Sequence, residues 1–205
     1  GEGEYTVFLT ADHGAGEVPA YLQDLRVPAG YLNTGDHQAK FNEFVQFTYG
    51  GTDIIRAMSG NQVFLDHRTL RNLGLTPDEV QETLAEELLG YEGIQEVYTA
   101  HQLRNTEFTE GMAAIIQNGY HQKRSGDILM VFGPETSAYP GTGSTHGSPY
   151  NYDTHVPLIF YGKGIRKGEL VRRTHIRDIA PTMAVLLGIA FPNGATGFPI
   201  GEALE

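Results

Sequence analysis

The sequence predicts an α/β fold that carries an inserted α+β subdomain. Three observations predict it. Short, mostly apolar runs at Tyr5 to Leu9, Asp127 to Phe132 and Val156 to Tyr161 read as core strands; a helix-patterned segment follows the last of them; and hairpin and helix signals fill the stretch between. Residues 1–35 are therefore expected to form a core strand and a metal-like loop, residues 36–125 the insert, and residues 126–205 the closing part of the α/β core.

Tyr5 to Leu9 ends at polar residues and glycines, the pattern of a strand buried on both faces of a sheet. Residues 17–35 hold Pro19, Pro28 and Gly30 and are too broken for a long element. From Asp36, a candidate N-cap, Phe41, Phe44, Val45 and Thr48 recur at helical spacing as far as Gly50-Gly51. Asp53-Ile54-Ile55 and Val63-Phe64-Leu65 flank Ser59-Gly60-Asn61 as the arms of a hairpin. Thr76-Pro77-Asp78-Glu79 reads as a capping box with proline at the first helical position, and Val80, Leu84 and Leu88 form the buried stripe behind it.

Ile94 to Thr99 is a further strand, and Thr109 to Asn118 a further helix closed by Gly119. Glu79, Glu82, Glu86 and Glu87 read as a solvated helix face rather than a site. Near the end Asp178 caps a helix that tolerates Pro181 in its first turn and stops at Gly188, and the tail with Pro192, Gly194, Gly197 and Pro199 is coil or surface turns.

Composition narrows the function. A chain of 205 residues, 40% of them hydrophobic, can bury a sizeable core. A formal charge of −11 with only 14 scattered Lys and Arg argues against binding nucleic acid through its phosphates. Cysteine is absent, so a metal would need His, Asp, Glu or hydroxyl ligands. No stretch reaches the roughly 18 apolar residues of a membrane span, and the N-terminus shows no signal segment. Because the sequence opens directly before a core strand, the chain is expected to be a piece of a longer protein.

Asp12-His13 falls at the end of the first strand, where ligands of α/β sheets gather. A carboxylate beside a neutral imidazole suits Zn²⁺ or a similar ion, and Gly14 and Gly16 let backbone approach closely. Taken alone, the dipeptide fits a turn cap next to a satisfied histidine equally well. A second constellation, Gly141 to Pro157, packs His146, Asp153 and His155 into a glycine-rich loop before a core strand, with His146 between Thr145 and Gly147. The two constellations together favour the metal reading.

On Thr10-Ala11-Asp12-His13-Gly14, Ser144-Thr145-His146-Gly147-Ser148-Pro149-Tyr150, Tyr152 to Gly162 and Asp178-Ile179-Ala180-Pro181-Thr182, the chain resembles the alkaline phosphatase superfamily, closest to bacterial exported enzymes with a threonine nucleophile. The resemblance implies a three-layer α/β sandwich, of which this is the C-terminal part. It also implies two zinc ions per complete active site, small phosphate esters as substrates, and a periplasmic or secreted location. By resemblance Asp12 and His13 bind the zinc that carries the nucleophile, and His146 binds the other. His155 competes with His146; it abuts the last core strand instead of preceding a glycine, so with Asp153 it is assigned to supporting the ligands.

The nucleophile and the remaining ligands would lie upstream, in a missing N-terminal part, since His37, His67, His101 and His121 follow no Asp-x-x-x-His pattern. The expected activity is phosphomonoester hydrolysis through a covalent phospho-enzyme. Phosphodiesterases and sulfatases of the superfamily share the Asp-His-Gly strand end, although sulfatases generally lack the second His-Gly ligand. A different alternative is that the chain by itself is a non-catalytic lobe.

Overall fold

The computed structural model describes residues 3–138 and 143–205; Gly141 and Thr142, which open the expected loop constellation, lie outside them. The chain divides into two compact units, one made of Gly1–Gly14 with His155–Glu205 and the other of Ala15–Thr154. The second is wider than the expected insert of residues 36–125.

The first unit opens with β1 (Thr6–Thr10). All remaining elements before residue 155 belong to the second unit. They are α1 (Pro19–Asp24), β2 (Gly30–Tyr31), α2 (Thr34–Tyr49), β3 (Ile55–Ser59), β4 (Gln62–Leu65), α3 (His67–Leu73), α4 (Pro77–Leu89), β5 (Ile94–Thr99), α5 (Ala100–Asn105), α6 (Gly111–Gly119), β6 (Ile128–Phe132), β7 (Thr136–Ser137) and α7 (Asn151–Thr154). The first unit resumes with β8 (Leu158–Gly162) and α8 (Ile179–Leu187).

In the second unit an antiparallel sheet runs in the order β3-β4-β6-β5. The hairpin forms as its sequence requires: Met58 faces Val63 and Ser59 faces Gln62 around the Gly60 turn. Phe41 and Val45 of α2 and Val80, Leu84 and Leu88 of α4 are buried with Val63, Leu65, Ile128 and Met130 of the sheet in one hydrophobic core. Strand β6 has four buried residues in succession, which draws it into this unit as a central strand. Beyond it β7 pairs in parallel with β2, so the segments on either side of the expected insert belong to the same unit.

Local details depart from expectation where polar side chains had more than one partner to choose from. Asn33, not Asp36, caps α2, because its side-chain oxygen accepts from the Asp36 N–H at 3.3 Å. Thr76 makes no side-chain capping bond at α4, and the reciprocal box forms instead at Thr99 and Gln102 before α5. Helices α3 and α5, of 7 and 6 residues, are too short to show two periods of an apolar stripe and have no counterpart in the sequence reading.

In the first unit β1 and β8 pair antiparallel, with Val7 opposite Tyr161 and Leu9 opposite Ile159. The expectation that β1 is buried on both faces fails here. Within this chain Val7 is 50% exposed and Leu9 58%, and β8 is the sole strand partner of β1 among the described residues. The helix α8 ends as expected at Gly188. Asp178 at its start turns its carboxylate away from the helix, accepting from the N–H groups of His175 at 2.9 Å and Phe198 at 3.0 Å. Burial alone would raise the Asp178 pKa, yet these two donors, with the nearby His175 and Arg177 charges, bring it below the ordinary carboxylate value.

A carboxylate held low stabilises the fold above its unfolded pKa, and that stability is lost as pH falls through the lowered folded value. Asp178 should therefore contribute fully at neutral pH and lose its contribution in acid, as pH falls below the ordinary carboxylate range. Thermal melts across this range should fall more steeply for the native chain than for Asp178→Asn.

Candidate metal centre

Asp12 and His13 sit just past the end of β1, where the strand's last paired residue is Thr10 opposite Leu158. The His13 N–H donates to Asp12 Oδ1 at 3.1 Å, which folds the carboxylate back along the chain. His13 Nδ1 lies 2.6 Å from the Gly14 carbonyl. A carbonyl only accepts, so Nδ1 carries the proton, and in the neutral ring Nε2 keeps its lone pair.

Nε2 lies 3.7 Å from Asp12 Oδ2. Two ligands that share one Zn²⁺ at about 2.0–2.1 Å each stand at most about 4 Å apart, so this pair meets the requirement. The chemistry of the donor set fits as well, since a carboxylate and a neutral imidazole backed by a carbonyl are ordinary zinc ligands.

His146 belongs to the other unit, on a loop that is held at both ends. Upstream, the Ser144 hydroxyl donates to the Gly16 carbonyl, and the Gly16 N–H donates to the Thr145 carbonyl at 3.1 Å. A side chain at Gly16 would sit 3.1 Å from Glu135 Oε2 and 3.4 Å from the Tyr152 ring, so the close approach expected of this glycine is used. Downstream, the Ser148 N–H donates to Asp153 Oδ2 at 2.6 Å. The Tyr150 hydroxyl ties the same segment to β6 by donating to the Phe132 carbonyl at 2.9 Å.

Below the loop lies a cavity of about 280 Å³ whose lining includes His146, Ser148, Asp153, Glu135, Glu17 and Tyr152. Asp153 is 4% exposed, and its Oδ1 is buried with no hydrogen-bond partner. Glu135 stands at a left-handed φ of 52°, a conformation uncommon for a non-glycine residue. Its N–H donates to the Tyr152 hydroxyl at 3.1 Å, and its Oε2 accepts from the Glu17 N–H at 3.2 Å. Burial raises the Glu135 pKa; the Glu17 N–H works against this, while the charges of Glu17 and Asp153 add to it.

Sequence reading had no signal for Glu135, since a lone glutamate after proline carries no motif. Asp153 and His155 look like one pair in the sequence but separate here: Asp153 is buried in the second unit, and His155 is exposed at the re-entry to the first. Two histidines of the expected insert are occupied by carboxylates, with His67 Nε2 2.7 Å from Asp127 and His101 Nδ1 2.7 Å from Asp78. Among the described residues no group of three or more His, Cys, Asp or Glu is placed to hold a metal ion, and no helix is long and apolar enough to cross a membrane.

No family model matches the chain. It is 36% identical over 207 residues to a Myroides odoratus protein named calcium-transporting ATPase, covering 100% of this chain and 38% of that protein. It is 36% identical over 205 residues to alkaline phosphatase PafA of Elizabethkingia meningoseptica, covering 100% of this chain and 37% of that one. Identity to alkaline phosphatase PhoV of Synechococcus elongatus is 30% over 214 residues, again across 100% of the chain and 37% of the relative. The chain thus spans under two fifths of the length of the curated relatives it matches. A crystal structure of wild-type alkaline phosphatase PafA superposes with a TM-score of 0.90 at 36% identity, over 100% of this chain and 39% of that one.

Proposed function

The chain belongs to the alkaline phosphatase superfamily, and from that premise we propose that it is the C-terminal part of a zinc-dependent phosphomonoesterase. The observation that carries the proposal is the Asp12-His13 pair, whose Oδ2 and Nε2 stand 3.7 Å apart at a strand end with the imidazole proton fixed on the other nitrogen.

In this reading Asp12 and His13 hold one Zn²⁺ and His146 contributes to a second, with Asp153 and His155 in supporting positions. Zinc supplies charge stabilisation for the attacking and leaving oxygens of phosphoryl transfer and lowers the pKa of a bound water. The chain's own part is to orient. The Gly14 carbonyl fixes the ring of His13, the His13 N–H fixes the carboxylate of Asp12, and the clasped loop presents His146. Phosphoryl transfer asks chiefly for such positioning. The nucleophile, a threonine that becomes transiently phosphorylated, and the remaining ligands belong to the rest of the polypeptide. The exported location of this enzyme class completes the proposal.

The test compares two proteins. The full-length polypeptide with added Zn²⁺ should hydrolyse an aryl phosphate and lose that activity to a chelator. The 205-residue chain alone should give no turnover above background, because its described residues assemble no complete donor set. Zinc-independent activity of the full-length protein, or a preference for sulfate or phosphodiester substrates, would overturn the proposal.

A further inference from the structure

We propose that Asp153 is a positioning residue that sets the zinc affinity of His146; the inference rests on the ligand role given above to that histidine. Three observations converge on it. The Ser148 N–H donates to Asp153 Oδ2 at 2.6 Å, the short contact of a charge-assisted bond, two residues beyond His146. Asp153 is 4% exposed on the one-turn helix α7, and Tyr150, whose hydroxyl is bonded to the Phe132 carbonyl, holds that turn against β6. The anchor is therefore rigid. Finally, Oδ1 is buried without a donor, and Asp153 lines the same cavity as His146.

The third observation separates this carboxylate from an ordinary loop staple. A buried carboxylate with one unpaired oxygen is a poor choice for stability, because an amide or a hydroxyl holds a single N–H with less desolvation. Here the negative charge shares a cavity with a histidine and with Glu135 and Glu17, and lysine and arginine are absent from the lining. The loop bond fixes where His146 stands, and the unpaired oxygen leaves the carboxylate charge without a compensating donor in a residue that lines the cavity. A divalent cation held by His146 benefits from both.

The two contributions predict different outcomes for two variants of the full-length polypeptide. Asp153→Asn keeps an oxygen for the Ser148 N–H and loses the charge; Asp153→Ala loses both. Zinc affinity is read by competition with a chromophoric chelator on folded protein, beside a thermal melt of the metal-free form. Asp153→Ala should weaken one of two zinc sites by about 10–100-fold, and Asp153→Asn should fall between it and the native protein. The site that depends on Asp12 and His13 should be unmoved in both.

Native zinc affinity in both variants, even with a lowered melting temperature, would make Asp153 a structural residue only and overturn the inference. His146→Ala run in parallel tells the two failures apart. If it removes a zinc while the Asp153 variants remain native-like, this inference alone is wrong; if it leaves both ions bound, the ligand assignment fails and this inference with it.

Discussion

Replacing Asp12 with alanine in the full-length polypeptide is expected to remove one zinc per molecule and to lower turnover of an aryl phosphate by about a thousandfold or more. A metal ion at a transferring phosphoryl group supplies several kcal/mol of charge stabilisation, and about 4 kcal/mol corresponds to three decades in rate. The substitution is clean in structural terms. The Asp12 side chain is 90% exposed within its chain, and its described contacts are to its neighbour His13. The melting temperature of the metal-free protein should therefore stay within a degree or two of the native value. Metal analysis, a rate assay and a melt on the same preparation check all three points. An Asp12→Ala protein that keeps its zinc and its rate would show that the strand-end pair is a turn device after all.

The second large effect is expected at Gly162, the last residue of β8. Its φ is +116°, and a Cβ built there would lie 2.2 Å from the Tyr5 carbonyl oxygen. Alanine at this position must adopt a backbone conformation that side chains rarely take, and it must also push β1 away. Together these cost about 3–5 kcal/mol. The damage falls on the pairing that carries Asp12 and His13, since Thr6 lies opposite Gly162 in the register that continues to Thr10. Gly162→Ala should therefore lose the Asp12-dependent zinc along with stability, whereas Asp12→Ala loses the zinc alone. Denaturant titration with metal analysis distinguishes the two; an unchanged midpoint in Gly162→Ala would show that β1 gives way without consequence.

Much of the fold was legible where one physical signal acted alone. The Val80, Leu84 and Leu88 stripe after Pro77 and the β-rich run Ile94–Thr99 had no competing reading, and both elements form where expected. The sequence was less informative where two readings shared one pattern. Tyr5 to Leu9 is apolar enough for a strand covered on both faces, but cover comes from what packs on those faces, and within this chain Val7 and Leu9 stand half exposed. Asn33 and Asp36 are both good caps, and geometry chose the first.

At the site, Asp12, His13 and His146 stood out because histidine and aspartate beside glycine form a motif. Glu135 and the orphaned oxygen of Asp153 did not stand out, because burial and a left-handed backbone leave no mark on residue spacing. Gly16 could be read in part: a glycine near a metal-like loop implies close backbone approach, but not that the partner is the Thr145 carbonyl.

The pairing of β1 with β8 also constrains the order in which the molecule assembles. Thr6 and Lys163, joined by a hydrogen bond at that ribbon, are 157 residues apart in the chain. Closing so long a segment while it is still a coil is entropically costly and slow, and the cost rises with the logarithm of its length. Once residues 15–154 have folded around their own core, the segment between the two ribbon strands is no longer a long coil. The strand end that holds Asp12 and His13 is thus expected to be among the last parts to form, so that a chain still folding has no Asp12-His13 site with which to capture a metal ion.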